Sequence, residues 1–292
     1  MPSTRDIRRR IKSVKGTAQI TKAMQMVASS KMRKAQTSAI NGRPFETLAN
    51  SVMRHAAAGA GDFTHPLLEP REVRKRGLIV ISTDKGLCGA LNSNLLREAA
   101  KYDRATTLFV TAGKKAAQFI ARTRRQLVAE FIYHDTPSYG ECQAISKYAQ
   151  DMFLNGEVDQ VDVLFTRFVN TLSQRPEVRT IIPMGKLKLL KSEAEAEARA
   201  TGTAAPRVEY LFEPDAEAVM STLLRYFLDF EIGQLLLEAK ASEHSARMVA
   251  MKNATDNAHH LIKDLTLQYN KMRQSAITKE LLEIASAQMA LA

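Results

Sequence analysis

From Leu237 onward, apolar and small residues recur at alternating steps of four and three: Leu237, Ala241, His244, Met248, Met251, Thr255, Ala258, Ile262, Leu265, Tyr269, Met272 and Ala276. A period of 3.5 residues is the mark of a left-handed coiled-coil seam. No proline follows Pro214 and no glycine follows Gly233, so nothing in the sequence halts a helix there. A helix of roughly 75 residues, rising 1.5 Å per residue, would be about 110 Å long and needs a partner. The other end of the chain repeats the pattern at Ile7, Ile11, Val14, Ala18, Thr21, Gln25, Ala28, Met32, Ala35 and Ala39. Ser3 or Thr4 can cap that helix, and Asp6 suits the positive end of its dipole. Two seams of equal period predict an antiparallel or staggered pair, the small residues letting two backbones approach closely. Two separate amphipathic helices packed on a globular core are the alternative.

Between the ends the pattern changes. The N-terminal helix is expected to run to about Ala58, where Gly59-Ala60-Gly61-Asp62 breaks it. Gly77–Thr83 is a continuous apolar run, as expected of a strand buried on both faces. Strands over Thr106–Ala112, Arg125–Tyr133 and Val161–Val169 then alternate with helices over Leu91–Tyr102, Gly113–Arg124 and Tyr139–Asn155. Arg175–Met184 reads as a fifth, edge strand bracketed by Pro176 and Pro183. Such alternation predicts a doubly wound, Rossmann-like α/β domain with a mainly parallel sheet. Ser192–Pro206 reads as a low-complexity loop and Val208–Phe212 as a last short strand. The expected division is a helix over 1–58, an α/β domain over 77–207 and a second long helix over 208–292.

Charge changes the picture more than bulk composition does. Of the net +11, Arg5, Arg8, Arg9, Arg10, Lys12, Lys15, Lys22, Lys31, Arg33 and Lys34 fall in the first 34 residues, against Asp6 alone. A basic helix calls for an acidic partner, whether nucleic acid, a membrane surface or an acidic protein face. No apolar run is long enough to span a bilayer, and none follows the basic start as in a signal peptide. Two cysteines, Cys88 and Cys142, are too few for a disulfide scaffold.

Candidate chemistry is sparse. Asp84-Lys85-Gly86-Leu87-Cys88-Gly89 occupies the place of a phosphate loop but matches neither GxGxxG nor the Walker pattern, so it reads as a tight turn. Cys88, near a helix start, has no His or Asn close in sequence to make it a nucleophile. His259 and His260 lack further ligands at metal spacing, and His244 reads as a polar layer on the seam. The basic helix carries no aromatic residue and the chain no tryptophan, which weakens a single-strand nucleic-acid reading. No catalytic set, cofactor site or metal site is expected. A basic coiled-coil DNA binder and a nucleotide-dependent α/β enzyme remain the competing classes.

Longer stretches carry a resemblance. Ile20-Thr21-Lys22-Ala23-Met24-Gln25-Met26-Val27-Ala28-Ser29-Ser30-Lys31-Met32-Arg33-Lys34 resembles the N-terminal helix of the gamma subunits of F-type ATP synthases. The run from Ser242-Glu243-His244-Ser245-Ala246-Arg247 to Ala258, and the ending with Tyr269, Asn270, Lys271, Arg273, Gln274, Ile277, Thr278, Glu280 and Glu283, resemble the C-terminal helix of that family. Ser82–Gly89, Leu91 and Asn92 resemble its first strand and turn. Ala287-Gln288 departs from the Gly-Ala usual there, and the cysteine-bearing insertion of the chloroplast type, with its thiol regulation, is missing.

The resemblance implies a non-catalytic rotor shaft inside a hexamer of alpha and beta subunits, turned by a proton-driven membrane ring. It implies that Lys22, Met24, Lys31, Arg33 and Lys34 face acidic lever segments of the beta subunits. Arg273, Gln274 and Thr278 would meet a beta-subunit loop, and Glu280 and Glu283 would hold the upper shaft. Tyr210 and Phe212 would belong to a foot that meets the epsilon subunit and the membrane c-ring. Nucleic acid is not among the implied partners. The implied place is the cytoplasmic face of a bacterial inner membrane, or the matrix side of the mitochondrial one.

Overall fold

The computed structural model describes residues 3–59, 65–184, 213 and 215–291. The readings of Ser192–Pro206 and Val208–Phe212, with Tyr210 and Phe212, fall outside these residues. Two compact units emerge: Met1–Ser29 with Arg247–Ala292, and Ser30–Ala246. Both long helices, α1 (Thr4–Gly59) and α5 (Ala216–Leu291), contribute to each unit.

The larger unit is built on a five-stranded sheet of β1 (Arg76–Ile81), β2 (Thr107–Ala112), β3 (Leu127–Phe131), β4 (Gln160–Phe168) and β5 (Gln174–Ile182), in the order β3-β2-β1-β4-β5. The first four strands run parallel, and β5 pairs antiparallel with β4. Alternation along β1 sorts the core into two layers. Leu78 and Val80 pack with Leu95 and Ala99 of α2 (Leu91–Ala99) and with Ala116 and Ile120 of α3 (Lys114–Arg122). Ile79 and Ile81 pack on the other face with Ile145, Ala149 and Phe153 of α4 (Tyr139–Leu154). That second layer is completed by Met220, Leu224, Leu228, Ile232 and Leu235 of α5. The first half of α5 is therefore a core helix of the α/β unit, with its own apolar face preceding the seam.

Local signals explain the boundaries. Ser138 and Glu141 close a capping box at the start of α4, each accepting from the other's backbone N–H. The sequence expectation of α2 running to Tyr102 overshoots, because the chain leaves the helix after Ala99. Pro176 lies inside β5, opposite Thr166, rather than at its end. It is tolerated because β5 is an edge strand, where a missing N–H removes no ladder bond on the open side.

In the smaller unit the expected seam is present. Ile7, Ala18, Thr21 and Ala28 of α1 are buried, as are Met251, Thr255, Ala258 and Leu265 of α5. The hydroxyls of Thr21 and Thr255 share a 2.7 Å hydrogen bond. Each also donates to, or lies within bonding reach of, its own helix: Thr21 Oγ1 is 3.1 Å from the Ala18 carbonyl and Thr255 Oγ1 is 2.8 Å from that of Met251. Ala18 and Ile262 line one groove beside the seam, while Val14 and Leu265 line a second. As residue numbers fall along α1 they rise along α5, so the pair is antiparallel. Ala276, expected on the seam, is exposed, as is every described side chain of 273–286. Antiparallel steps outward from Thr21 and Thr255 reach the start of α1 near Ile7, so among the described residues no helix lies opposite the end of α5.

Gly113 joins β2 to α3 with a φ of +106°, and a Cβ there would collide with the Ser82 carbonyl. Gly113→Ala is expected to destabilise the α/β unit by about 2 kcal/mol or more, lowering the midpoint of thermal unfolding followed by circular dichroism.

Candidate functional site

Two surfaces hold most of the residues that the sequence singles out, and one internal cluster joins Lys31 and His244 to residues it does not. On α1, all ten basic residues from Arg5 to Lys34 are exposed. Met24 is half-buried, on the flank of the seam. Beside it runs a groove of about 530 Å³ lined by Lys15, Ala18, Lys22, Met26 and Ile262 among others, an apolar floor with cationic rims. Ile20, Met26 and Val27 expose apolar side chains among the lysines. The outer face of α1 thus offers positive charge and loose apolar contact together. The side chains do not make a binary pattern of core against water.

At the far end of α5, Arg273, Gln274, Thr278, Glu280 and Glu283 are all exposed. Thr278 donates to the Gln274 carbonyl of its own helix at 3.0 Å. Lys279 Nζ lies 3.6 Å from Glu283 Oε1, an exposed pair one turn apart. Ile277, Leu281, Leu282 and Ile284 are exposed around them. This much bare apolar surface on a helix end marks an interaction site. The side chains of Ala287 and Gln288 lie outside the described residues.

Sequence reasoning missed the internal cluster. Asp135, in the loop after β3, receives Lys31 of α1 at 2.6 Å through Oδ2. Its Oδ1 lies 3.2 Å from His244 Nε2 and 3.9 Å from Lys240 Nζ, both on α5. Lys240 also pairs with Glu243 at 3.1 Å and sits 4.4 Å from the Tyr133 ring centroid. Burial alone would raise the Asp135 carboxyl, but the Lys31 bond and the positive potential of His244, Lys240 and Lys31 outweigh it and hold it below the ordinary 3.8. What it contributes to stability is therefore present above that ordinary value and lost as pH falls through the depressed one. His244 thus reaches a carboxylate of the α/β unit, where the seam pattern alone makes it a polar layer. The legible signal was Lys240, Glu243 and His244 at helical spacing on a face otherwise made of alanine and serine. Neighbouring Ser242 and Ser245 donate to the carbonyls of Thr166 and Thr171, both at 2.8 Å. Glu238 accepts from the Phe168 N–H at 3.3 Å.

The segment after β1 supplies acceptors to a neighbouring helix. Asp84 Oδ1 accepts from the Lys114 N–H at 3.0 Å, the Thr83 carbonyl from Lys115 at 3.1 Å, and Ser82 Oγ from Ala116 at 2.8 Å. These are the first amides of α3, the helix after β2, so the turn serves as the cap of a neighbouring helix. Asn92 Nδ2 bridges Thr83 Oγ1 and Cys88 Sγ. Cys88 and Cys142 are both buried, and burial together with the Glu141 and Asp229 charges pushes the Cys142 thiol up to about 11. Among the described residues no group of three or more His, Cys, Asp or Glu is placed to hold a metal ion. No described helix is long and apolar enough to cross a membrane.

An antiparallel pair of long helices, drawn from the same two helices that bracket a Rossmann-like unit, defines a stalk-type protein rather than one built around a pocket. The family profile described as ATP synthase matches residues 3–291. The ATP synthase gamma chain of Opitutus terrae is 48% identical and that of Methylacidiphilum infernorum 47%, each over 100% of both chains. The chain belongs to the ATP synthase gamma-chain family. Among solved structures it resembles a chain of the central stalk and c-ring of Tetrahymena thermophila mitochondrial ATP synthase, with a TM-score of 0.61 and 25% identity over 80% of this chain and 99% of that one. A Euglena gracilis mitochondrial ATP synthase chain shares the fold at a TM-score of 0.69 and 19% identity, over 99% of this chain and 94% of that one.

Both thiols are expected to resist alkylation in the folded chain at pH 8 and to react promptly once it is unfolded in denaturant. Mass spectrometry of iodoacetamide-treated samples checks this. Rapid labelling of Cys88 in the folded chain would contradict its placement.

Proposed function

We propose that this chain works as a non-catalytic rotor subunit, carrying torque between a proton-driven membrane ring and the catalytic sites of an alpha–beta hexamer. The observation that carries the proposal is the bare end of α5: exposed polar and apolar side chains over 273–286, with no helix opposite among the described residues. Membership of the gamma-chain family and the likeness to central stalks support it. In this reading the hexamer closes round that end. Arg273, with donors in a fixed fork, and Gln274 and Thr278 bond a beta-subunit loop, and Glu280 and Glu283 hold the upper shaft.

Lys22, Arg33 and Lys34, together with Met24, meet acidic lever segments of the beta subunits. Exposed charges supply attraction at modest cost in specificity, which suits a surface that must meet three equivalent partners in turn. Lys31 is exposed on the same helix but already bonded to Asp135. The α/β unit, with Tyr210 and Phe212, forms the foot that meets the epsilon subunit and the c-ring. The chain is then peripheral to the membrane, on its cytoplasmic side, and touches the bilayer only through the complex.

Purified with the alpha and beta subunits and reconstituted with the membrane sector, Met24→Lys is expected to assemble and hydrolyse ATP while pumping fewer protons per ATP. An extra cation beside the levers strengthens contact where the shaft must release it. Acid-quenching dye uptake against ATP consumption measures the ratio; a parental ratio would contradict the role given to Met24. Truncation after Arg273 is expected to lower ATP synthesis by about ten-fold, since it removes the surface that the hexamer grips. Parental synthesis rates in inverted vesicles would count against that surface.

A further inference from the structure

The cluster around Asp135 joins three elements of the α/β unit, and the rotor reading assigns it nothing. Lys31 reaches it from α1, His244 and Lys240 from α5, and the carboxylate itself hangs from the loop after β3. That loop is pinned. His134 Nδ1 lies 2.5 Å from Glu141 Oε1, and Tyr133 donates from its hydroxyl to the Ser82 carbonyl at the end of β1. A path of direct contacts therefore runs from the sheet through Tyr133 and Asp135 to both long helices.

Apolar packing alone would let a helix slide or turn on the sheet at small cost, since it is non-directional. Charged hydrogen bonds are directional and lock one register. Lys240, Glu243 and His244 are buried, although alanines stand on either side of Lys240 and an apolar interface was available. Burying charge is a poor way to gain stability, and its best-attested use is to fix registry; here Lys240 and His244 each reach from α5 across to the Asp135 carboxylate. Lys31, Lys240 and His244 face Asp135, and Glu243 pairs with Lys240.

We propose that Asp135 is a positioning residue, the carboxylate through which the α/β foot grips both shaft helices and keeps them in register under torque. The proposal rests on the rotor reading, and it gives Lys31 a task within the chain instead of one on the beta levers. The grip is lost when either end of the Lys31–Asp135 bond is removed. Both side chains are nearly half exposed, at 47% and 42%, so their replacement leaves the two core layers untouched.

The test uses the assembled complex in membrane vesicles and reads protons pumped per ATP hydrolysed. Asp135→Asn and Lys31→Met are each expected to lower that ratio by about two-fold or more, and the double variant no further, because the two residues act as a unit. Lys31→Arg and Asp135→Glu restore it. A parental ratio in Asp135→Asn overturns the proposal. So does a loss confined to Lys31→Met, which would place that lysine on a partner subunit. A fall in assembled complex at an unchanged ratio overturns it too, since the cluster would then serve folding alone. Failure of the parent chain to assemble or pump would instead strike the rotor reading itself.

Discussion

Two helices that bury mostly small side chains against one another hold by closeness more than by bulk. Ala18, Ala28 and Ala258 remove little apolar area from water, so dispersion at short backbone separation, together with the Thr21–Thr255 bond, must supply the rest. A seam of this kind is narrow, and grooves remain beside it. The same narrowness leaves long stretches of both helices exposed to whatever surrounds them. For a stalk that is an advantage: the pair is held along its axis while its outer face stays free to meet successive partners.

Helix α5 carries two different faces in turn. Over its first half the face with Met220, Leu224, Leu228 and Leu235 completes the sheet's second core layer. Over the second half the seam with Met251, Thr255, Ala258 and Leu265 takes over. Between them lie Lys240, Ser242, Glu243, His244 and Ser245, where contacts become polar and directional. The shift from greasy packing to hydrogen bonds falls where the helix passes from one compact unit to the other. A single helix thus gives a core face to one unit and a seam to the other.

Much of this was legible in the sequence. A 3.5-residue period is independent of which small residues fill it, so both seams and their pairing could be read from Ile7 to Ala39 and from Leu237 to Met272. Strands β1, β2 and β4 showed as apolar runs because the middle of a parallel sheet is buried on both faces. What escaped was long-range. Asp135 sits in a polar loop like any other, and only the fold brings it to Lys31, more than a hundred residues earlier. The end of the seam was misjudged at Ala276 because periodicity continues past the point where the partner helix has begun. Pro176 looked like a boundary because its tolerance depends on β5 lying at an edge, which no local pattern reveals. Among the surface residues, Lys22, Met24 and Arg273 were recognisable only by resemblance, since an exposed lysine carries no mark of its future neighbour.

The central claim is that this chain turns. It is tested most directly by fixing the alpha–beta hexamer to a surface, attaching a gold rod to the α/β unit of this chain and adding ATP. The account predicts rotation of the rod in discrete steps and in one direction, stopping when ATP is exhausted. A rod that stays still while the immobilised complexes hydrolyse ATP at the rate of free complexes would contradict it.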